Sequence, residues 1–443
     1  MLKIGTVLVI ALVGVHAVCV EKLANSPFGQ GAFFLGAMPI PNRTDVLIAF
    51  SNMGEIVKLN AQTGELLSSV GQVNLSSEGG EAGLLALAVR FDFATSGKFY
   101  TWGNTVQQFE NDLALDEWTC SNPDQVSGCQ RSGVVLEVYH MFSNHNGGSL
   151  MFDKLQPSIL YITVGDGGSG CDPQNSSQNP KRLLGKVLRI DLGAGSAANY
   201  NYTVPLSNPI KATKKQQVEL CGKSLARQRA RTTKPCREVW VKGLRNPFRC
   251  SLDRFDPQSQ FRITCGDVGQ GRLEEVDLIP TRPTGRVLNY GWDVFEGNKG
   301  AVGQGCTGTK QTCPLGRIRT LRGVSYVCPI AVESHSNGWA SLIGGYVCRT
   351  CGDPQLVGKF LYADFMLPKS LRAVSVRGNA AKLSLPVKLC TNSTKCVVQT
   401  NATPLDLNWM VFSFAEDNLG RISLVHAALG LYRITDPANC NLL

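Results

Sequence analysis

The feature that most restricts the fold is a strand–turn–strand unit between Ser143 and Asp191. His145 precedes two glycines, and an apolar strand, Ser158–Val164, follows and ends in a glycine-aspartate turn. A polar loop then leads to a second strand, Lys186–Asp191. Because the first strand ends in a turn rather than a helix, the unit predicts part of an all-β sheet with His145 at its rim.

Similar strand–turn–strand pieces recur along the chain. They lie at Asp45–Asn60, Glu238–Asp267, Gly344–Val376 and Val411–Ile434. The 46 glycines and 21 prolines, with only 18% charged residues, suit a turn-rich β protein better than a helical one. Short strands at regular spacing predict a propeller or a sandwich, and the spacing alone leaves that choice open.

The first 17 residues predict export. Lys3, an apolar run from Ile4 to Val15 and a small-residue cleavage site ending at Ala17 are typical of a secretory signal peptide. No later apolar stretch reaches about 18 residues, so no membrane span is predicted. We therefore expect a secreted, extracellular protein in which residues 18–443 form a single domain.

Sixteen cysteines follow the predicted cleavage site. An even number in an exported chain predicts disulfides, eight if every cysteine pairs. Separation in the sequence suggests the local pairs Cys120–Cys129, Cys221–Cys236 and Cys390–Cys396. The alternative is a zinc or redox role for the CxxC at Cys348 and Cys351, although no second CxxC or paired histidines accompany it.

Three further surface features are predicted. Trp118–Arg131 and Val302–Val327 are cysteine-bearing, turn-rich stretches that we expect to be insertions. Six N-x-S/T sequons predict exposed, glycosylated asparagines. They begin at Asn42, Asn74, Asn175, Asn201, Asn392 and Asn401.

A basic stretch at residues 211–237 interrupts the pattern of strands. It holds nine lysines and arginines against a single acid, Glu219. One interpretation is a solvated loop, and the other is a binding patch for an anionic polysaccharide. Expected export and the lack of interleaved aromatic residues argue against nucleic acid as a partner.

A series of sequence blocks resembles, in order, the glucose/sorbosone dehydrogenase family. The blocks are GGEAGLLALAVRFDFATSGKFY, HNGGSL, LYITVGDGG, LLGKVLRID, VWVKGLRNPFRCSLD, GDVGQGRLEEVDLI, NYGWDVFEG and GGYVCR. This family includes the soluble quinoprotein sugar dehydrogenases of bacteria and the hedgehog-interacting proteins, and the many cysteines make the chain most similar to the plant branch of the latter. The resemblance implies a six-bladed β-propeller with disulfide-rich loop insertions.

The resemblance also implies a catalytic site. His145 would be the general base that removes the proton of a sugar's anomeric hydroxyl, a task that suits an imidazole. The hydride would pass to pyrroloquinoline quinone, which Arg245 and Asn246 of the RNP block would contact. The alternative for Arg245 is a buried ion pair within a blade, for example with Asp253.

Three neighbouring positions differ from the bacterial pattern. Asn144 stands where the bacterial enzymes have an aspartate before the base, and it is expected with His145 to line the substrate site. Glu81 stands in place of a glutamine that contacts the substrate, and its carboxylate can still bind sugar hydroxyls. Gly167 replaces the glutamine of the turn beside the cofactor.

The block GDVGQGRLEEVDLI resembles the calcium loop of the family. The resemblance implies that the backbone oxygens of Gly269 and Gln270 bind the calcium ion that carries the quinone. Glu274, Glu275 and the Tyr290 carbonyl would hold a second, structural calcium ion. Oxygen ligands on a glycine-rich turn suit calcium. The alternative is a β-turn with solvated carboxylates.

The pattern departs from the bacterial enzymes at the carboxylates of the quinone. Those enzymes use a lysine and an R-x-R, and here the corresponding places hold Phe365-Met366-Leu367 and Asn408-Trp409-Met410. Because buried carboxylates need cations, Lys369, Arg372 or Arg349 would have to substitute. Two hypotheses therefore stay open: a sugar dehydrogenase, or a non-catalytic extracellular propeller that binds a protein or polysaccharide.

Overall fold

The structure is a computed structural model. It describes residues 18–76, 80–105, 111–211, 220–230, 234–258, 260–367, 370–376 and 411–436, and the backbone alone of residues 383–384, 387–391 and 395–397. The predicted signal peptide, Lys369 and Asn408-Trp409-Met410 lie outside these ranges.

Six mainly antiparallel sheets form the six blades of a β-propeller, which confirms the expected fold class. One strand of each blade lies innermost, beside the axis. In order of blades 1 to 6, the inner strands are Phe34–Pro39, Leu84–Val89, Ser149–Phe152, Pro247–Leu252, Leu342–Val347 and Ser413–Glu416.

The remaining strands of each blade follow outward from the axis. In blade 1 they are Val46–Ser51, Glu55–Asn60 and Leu66–Gln72, and in blade 2 Lys98–Gly103, Leu113–Asn122 and Ser127–Val138. In blade 3 they are Ile159–Val164, Lys186–Asp191, Val239–Lys242 and Leu288–Asn289, and in blade 4 Ile263–Asp267, Leu273–Ile279 and Ala331–Ser334. In blade 5 they are Lys359–Asp364, Arg372–Ser375 and Leu383–Ser384.

Blade 6 closes the ring by combining strands from both ends of the chain. Outward from its inner strand it holds Ile422–His426 and Gly430–Thr435, and then the N-terminal strand Val18–Ala24. That strand pairs antiparallel with Gly430–Thr435, with Val20 opposite Ile434. Its other edge pairs with Val387–Thr391, which in turn pairs with Lys395–Val397. Joining the two ends of the chain in one sheet leaves no gap between the first and last blades.

Helices are few and short in the described ranges. The α-helices are Phe93–Ser96 and Leu225–Arg229, and the 3-10 turns are Cys221–Lys223, His335–Asn337 and Pro354–Leu356. None of these helices has the length and hydropathy of a membrane span. Two small hairpins complete the structure, Phe295–Glu296 with Lys299–Gly300 and Ile318–Leu321 with Val324–Val327.

Burial explains why the inner strand Leu84–Val89 is an unbroken apolar run. Each blade packs a neighbour against both of its faces, so every residue of Leu84–Val89 is buried. The outer strand Leu66–Gln72 instead has both buried and exposed positions, because its position at the edge meets solvent. Large aromatic side chains such as Trp102 and Tyr161 fill the space between blades.

Six disulfides lie in the described part of the chain, and they confirm the predicted local pairs Cys120–Cys129 and Cys221–Cys236. Cys348 and Cys351 are joined to each other by an S–S bond of 2.00 Å, so the zinc interpretation of this CxxC is wrong. The other bonds are Cys171–Cys306, Cys250–Cys265 and Cys313–Cys328. Cys19 is buried in blade 6, and the side chains of Cys390, Cys396 and Cys440 lie outside the described residues.

One predicted insertion proves to be part of the propeller. Trp118–Arg131 lies within the two outer strands of blade 2, where Cys120 is directly opposite Cys129. Trp118 is buried and stacks on Phe99 at 5.7 Å, because a regular strand places its alternate residues toward the core. Val302–Val327 is an insertion as expected, between two strands of blade 4.

The sequon asparagines that the structure describes are exposed, as the sequence predicts. They are Asn42, Asn74, Asn175 and Asn201. In the basic stretch, residues 212–219 and 231–233 lie outside the described ranges. Its helix Leu225–Arg229 is tied to blade 2, since Arg229 forms an ion pair with Asp112.

Candidate functional site

His145 lies in the segment that enters the inner strand of blade 3. Its φ of 59° is in the left-handed region, which residues other than glycine rarely adopt. The backbone is held there by two contacts, since its N–H donates to Glu81 Oε2 at 2.6 Å and its carbonyl lies 3.1 Å from His140 Nε2. A Cβ atom at Gly165 would lie 1.9 Å from the same carbonyl, so this close approach requires glycine.

The imidazole of His145 is paired with a buried carboxylate. Nδ1 lies 2.7 Å from Asp166 Oδ1, and the second oxygen of Asp166 accepts a hydrogen bond from Trp292 Nε1 at 2.8 Å. The backbone N–H of Gly168 also donates to Asp166 Oδ1. Because a carboxylate accepts, we assign the proton to Nδ1, which leaves a lone pair on Nε2. Within the described residues Nε2 has no hydrogen-bond partner.

Arg245 and Asn246 come directly before the inner strand of blade 4. Their backbone N–H groups donate to the two oxygens of Asp267, at 2.9 and 2.6 Å. Asn246 Oδ1 accepts from Gly147 N at 3.0 Å, which joins this segment to that of His145. Arg245 donates through Nη1 to a backbone carbonyl, and its buried Nε has no partner in the described residues.

The alternative interpretation of Arg245 as the partner of Asp253 is wrong. Asp253 follows the other end of the same inner strand and pairs with Arg349 at 2.6 Å. The guanidinium of Arg245 instead lies 5.5 Å from the ring centre of Trp292. Trp292 therefore contacts both halves of the site, through Asp166 and through Arg245.

The three departures from the bacterial pattern lie close to His145. Glu81 is exposed and accepts the His145 N–H described above. Asn144 Oδ1 accepts from Ser169 N at 3.3 Å. Gly167 has a φ of 98°, and a Cβ atom there would lie 2.8 Å from Leu184.

Three buried carboxylates meet beside this site, on blade 4. Asp267 lies directly opposite Glu275 in the sheet, and Asp277 lies two residues further along, on the same face as Glu275. Ligand atoms of the three lie within 4.8 Å of one another. Neither oxygen of Asp277 has a hydrogen-bond partner among the described residues.

Burial governs the charge of this acidic cluster. It raises the pKa of Asp267 to about 7, and burial with repulsion from neighbouring carboxylates raises the pKa values of Glu275 and Asp277 well above their ordinary range. Three such groups cannot all ionise in a dry site without a compensating cation. The oxygen donors and their charge suit a divalent cation such as calcium.

The structure places one predicted calcium ligand, Glu274, away from the acidic cluster. Glu274 lies on the opposite face of the strand, where it bonds His335 Nε2 at 2.6 Å and Leu342 N at 2.8 Å. Tyr290 is buried, and its hydroxyl donates to a backbone carbonyl. Among the predicted carboxylate ligands, only Glu275 joins the acidic cluster.

The turn that contains Gly269 and Gln270 wraps around a carboxylate that sequence reasoning missed. Glu296 Oε1 accepts the N–H groups of four successive residues, at 2.7 to 3.1 Å, and these are Gln270, Gly271, Arg272 and Leu273. The side chain of Gln270 accepts from Cys171 N at 2.6 Å, which ties the turn to the Cys171–Cys306 disulfide. These contacts hold the backbone carbonyls of the turn in place.

Asp166, Trp292, Asp267 and Asp277 are further residues of the site that sequence reasoning did not single out. Each lies in a block that resembles the family, at GDGG, NYGWD and GDVGQGRLEEVD. The available signal was their position, since an aspartate directly after a buried strand faces the rim of the sheet, and the spacing E-x-D places two carboxylates on one face.

Comparison with known proteins finds related sequences. A family model described as Glucose / Sorbosone dehydrogenase matches residues 36–217. The HIPL1 protein of Arabidopsis thaliana is 31% identical over 345 residues, which are 73% of this chain and 44% of that protein. The hedgehog-interacting protein of Homo sapiens is 25% identical over 382 residues, 81% of this chain and 44% of that protein. The chain thus spans less than half the length of these relatives.

Solved structures share the fold. The PQQ-bound aldose sugar dehydrogenase from Streptomyces coelicolor has a TM-score of 0.55 at 17% identity and covers 93% of this chain and 96% of its own. The apo-form of the soluble aldose sugar dehydrogenase from Escherichia coli has a TM-score of 0.61 at 16% identity, with 95% and 96% covered. At such identities the likeness shows the fold alone. Together with the matching family model and the plant and animal relatives, it relates the chain to the glucose/sorbosone dehydrogenase family.

Proposed function

We propose that this protein oxidises the anomeric carbon of an aldose or related sugar, with His145 as general base. The observation that carries the proposal is the 2.7 Å contact between His145 Nδ1 and Asp166, which leaves the Nε2 lone pair for a substrate proton. Trp292 holds Asp166 from the other side, so the imidazole has one orientation. A base fixed in this way needs little reorganisation when it takes a proton.

The proton of the anomeric hydroxyl moves to His145 Nε2 in this proposal. The imidazolium that results carries its charge beside the Asp166 carboxylate, which stabilises it. Glu81 is exposed and fixed beside His145, so its free carboxylate oxygen accepts hydrogen bonds from neighbouring sugar hydroxyls. Asn144 supplies an amide on the same side.

Pyrroloquinoline quinone, when bound, supplies the acceptor for the hydride of the anomeric carbon. The described residues fit its quinone edge, because Arg245 Nε is a buried donor without a partner and Asn246 lies next to it. Gly167 keeps the neighbouring turn free of a side chain. These residues would hold the quinone oxygens by charge and hydrogen bonding.

The carboxylate edge of the quinone is less well matched within the described residues. Arg349 is engaged with Asp253 at the opposite end of blade 4, so it does not reach this site. Arg372 donates to the Leu371 carbonyl, with its guanidinium 5.6 Å from the ring centre of Trp339. We therefore propose that calcium and Arg245 compensate the negative charge of the cofactor's carboxylates.

We propose that calcium binds at the acidic cluster. Asp267, Glu275, Asp277 and the Tyr290 carbonyl would hold one ion, and the carbonyls of Gly269 and Gln270 would hold the ion that carries the cofactor. The unpartnered oxygens of Asp277 support the first site, because a buried carboxylate without donors needs a cation or a proton.

Calorimetric titration with pyrroloquinoline quinone, in calcium and in EDTA, tests this function. We expect binding in calcium, and affinity at least about tenfold weaker for Arg245→Lys, because lysine does not reproduce a planar fork of donors. Arg421→Lys is the matched control, since Arg421 pairs with Asp417 away from the site. Heat of binding that is absent in both buffers would contradict the proposal.

A second candidate function is binding without turnover, and an aromatic patch on the same end of the propeller favours it. Phe33, Phe365 and Phe412 pack together, with ring centres of Phe412 5.2 Å from Phe33 and 4.4 Å from Phe365. Phe33 is 43% exposed, and Met366 beside Phe365 is 59% exposed. Exposed apolar clusters mark interaction sites. Under this alternative the ligand is an extracellular protein or glycan, and it binds the His145→Gln variant as tightly as the native protein.

Export and a polysaccharide ligand complete the proposal. The six disulfides support an oxidising compartment, hence secretion. Lys223 and Arg227 belong to the described part of the basic stretch and support an anionic polysaccharide as a second ligand. We expect the native protein to elute from heparin at a higher salt concentration than the Lys223→Gln, Arg227→Gln double variant. Elution of both at the same salt concentration would contradict this ligand.

A further inference from the structure

Arg249 lies on the axis of the propeller and binds four blades at once. It belongs to the inner strand of blade 4 and has a φ of 66°. Its guanidinium donates to the carbonyls of Leu35 in blade 1, Leu85 in blade 2 and Gly148 before the inner strand of blade 3, at 3.1, 2.8 and 2.7 Å. Nε donates to Ser413 Oγ of blade 6 at 3.0 Å. The side chain therefore closes the central channel.

This buried cation has no acidic partner in the described part of the chain. Its contacts are to carbonyl and hydroxyl oxygens, and it is only 9% exposed. A guanidinium has five N–H donors, and four are used here, so one on Nη2 remains. Burial lowers the pKa of Arg249 to about 10.

A cavity of about 110 Å³ lies in the channel against Arg249. Inner strands of all six blades line it, with mostly apolar residues such as Leu150 and Phe152. Its half-buried lining residues Met38 and Arg254 lie at the opposite end of the inner strands from His145. The cavity is therefore separated from the candidate catalytic site by the Arg249 side chain.

Tyr346 lines the same cavity and adds a second polar group. Its hydroxyl has no hydrogen-bond partner among the described residues, and it interacts electrostatically with Arg249. Burial raises the pKa of Tyr346 to about 12, so the hydroxyl keeps its proton and can donate. One guanidinium N–H and one phenol O–H are thus available beside an otherwise apolar cavity.

We propose that the channel cavity is a binding site for a short aliphatic monocarboxylate, held by Arg249 and Tyr346. One negative charge balances the single uncompensated arginine, whereas a dianion such as sulfate would leave a buried charge unpaired. The apolar walls cover an alkyl chain, which a simple hydrated anion lacks. A cavity of roughly 150 Å³ accepts benzene, so this smaller one suits an acid of about three or four carbons.

The proposal does not depend on the chemistry at His145. The two sites share no side chain, and Arg249 lies between them. A carboxylate at this position would tie the inner strands together, because Arg249 already bonds to four blades. We therefore expect stabilisation of the fold as its first measurable effect.

Thermal melting and calorimetry with sodium butyrate test the proposal at constant ionic strength. We expect a saturable rise in melting temperature with butyrate, and none with butyramide, which has the same shape without the charge. Tyr346→Phe should weaken butyrate binding about tenfold, as expected for one hydrogen bond to a charged group. Tyr326→Phe is the matched control, because Tyr326 packs on Phe295 in the hairpin insertion away from the channel.

The native protein and Tyr326→Phe should give the same dissociation constant for butyrate. Equal stabilisation by butyrate and butyramide would overturn the proposal, as would a shift that does not saturate. Unchanged affinity in Tyr346→Phe would also overturn it. Arg249 itself is not substituted, because its loss would break contacts to four blades.

Discussion

His145 Nδ1 lies 2.7 Å from Asp166 Oδ1, and this contact joins the segment before the inner strand of blade 3 to the end of the next strand. Asp166 is buried and accepts two further hydrogen bonds, from Trp292 and from the backbone of Gly168. These contacts engage both oxygens of Asp166, so the orientation of its carboxylate is fixed. The imidazole orientation and tautomer follow from it.

Asp166→Asn should therefore reduce sugar oxidation strongly. An amide offers N–H groups where Trp292 and Gly168 already donate, and it no longer selects the Nδ1–H tautomer. In serine proteases the corresponding change lowers the rate about 10⁴-fold, and we expect a loss of at least about a hundredfold. Steady-state rates measured across pH check this, and an unchanged profile would show that Asp166 does not position the base.

Calcium should stabilise the native protein through the acidic cluster. A ligand at a hundredfold excess over its Kd adds about 2.7 kcal/mol, so melting temperatures in calcium and in EDTA should differ by several degrees. Asp277→Asn removes one repelling carboxylate, so it should melt no lower than the native protein in EDTA and gain less from calcium. Asp124→Asn, at an exposed position, is the control. Superimposable native curves in the two buffers would contradict the calcium proposal.

The two disulfides with the most different loop lengths should contribute differently to stability. Cys171–Cys306 closes a loop of 135 residues and Cys348–Cys351 one of 3. Loop-closure entropy gives about 5 kcal/mol for the first and about 2 kcal/mol for the second. Paired Cys→Ser variants in denaturant unfolding measure both, and the reverse ranking would show that native-state contacts dominate.

Thiol titration of the protein without substitutions, under denaturing and non-reducing conditions, should find essentially no free thiol.

The raised pKa of Asp172 predicts a contribution to stability that depends on pH. Burial, with repulsion from Asp166, raises its pKa from 3.8 to about 6. The unfolded chain therefore loses this proton at lower pH than the folded one, so stability falls as pH rises from about 4 to about 6 and is level above. The shift corresponds to as much as about 3 kcal/mol.

Asp172→Asn should remove this slope, because the asparagine does not ionise, although its single oxygen can accept from only one of the Ser176 and Ser177 N–H groups. Asp353→Asn changes a similar capping aspartate elsewhere and should leave the slope in place. Denaturant unfolding at pH 4, 5, 6 and 7 makes the comparison. A slope that survives in Asp172→Asn would assign it to another group.

The blades could be predicted from sequence because their strands are local. The strand Lys186–Asp191 is found as predicted, and the hairpin within Asp45–Asn60 has its strands at Val46–Ser51 and Glu55–Asn60. Cys120–Cys129 could be predicted because both residues lie in one hairpin. Cys171–Cys306 could not, because a separation of 135 residues carries no signal about tertiary contact.

The candidate site shows the same limit. His145, Arg245 and Asn246 stand out by their motifs, and the structure brings them together. The choice between Glu274 and Glu275 depends on which face of the strand meets Asp267, and sheet register alone decides that. Asp166 was hidden within a glycine-rich turn, where an aspartate usually serves the turn itself.

The most direct test of the proposed function is dye-linked oxidation of aldoses in the presence of calcium and pyrroloquinoline quinone. The native protein should turn over, and His145→Gln should fall by at least about a hundredfold, since general base catalysis contributes that much. Its melting temperature should change little. His426→Gln, in the second strand of blade 6 from the axis, should keep its rate within a few fold. No turnover by the native protein on any aldose, or an equal loss in both histidine variants, would contradict the account.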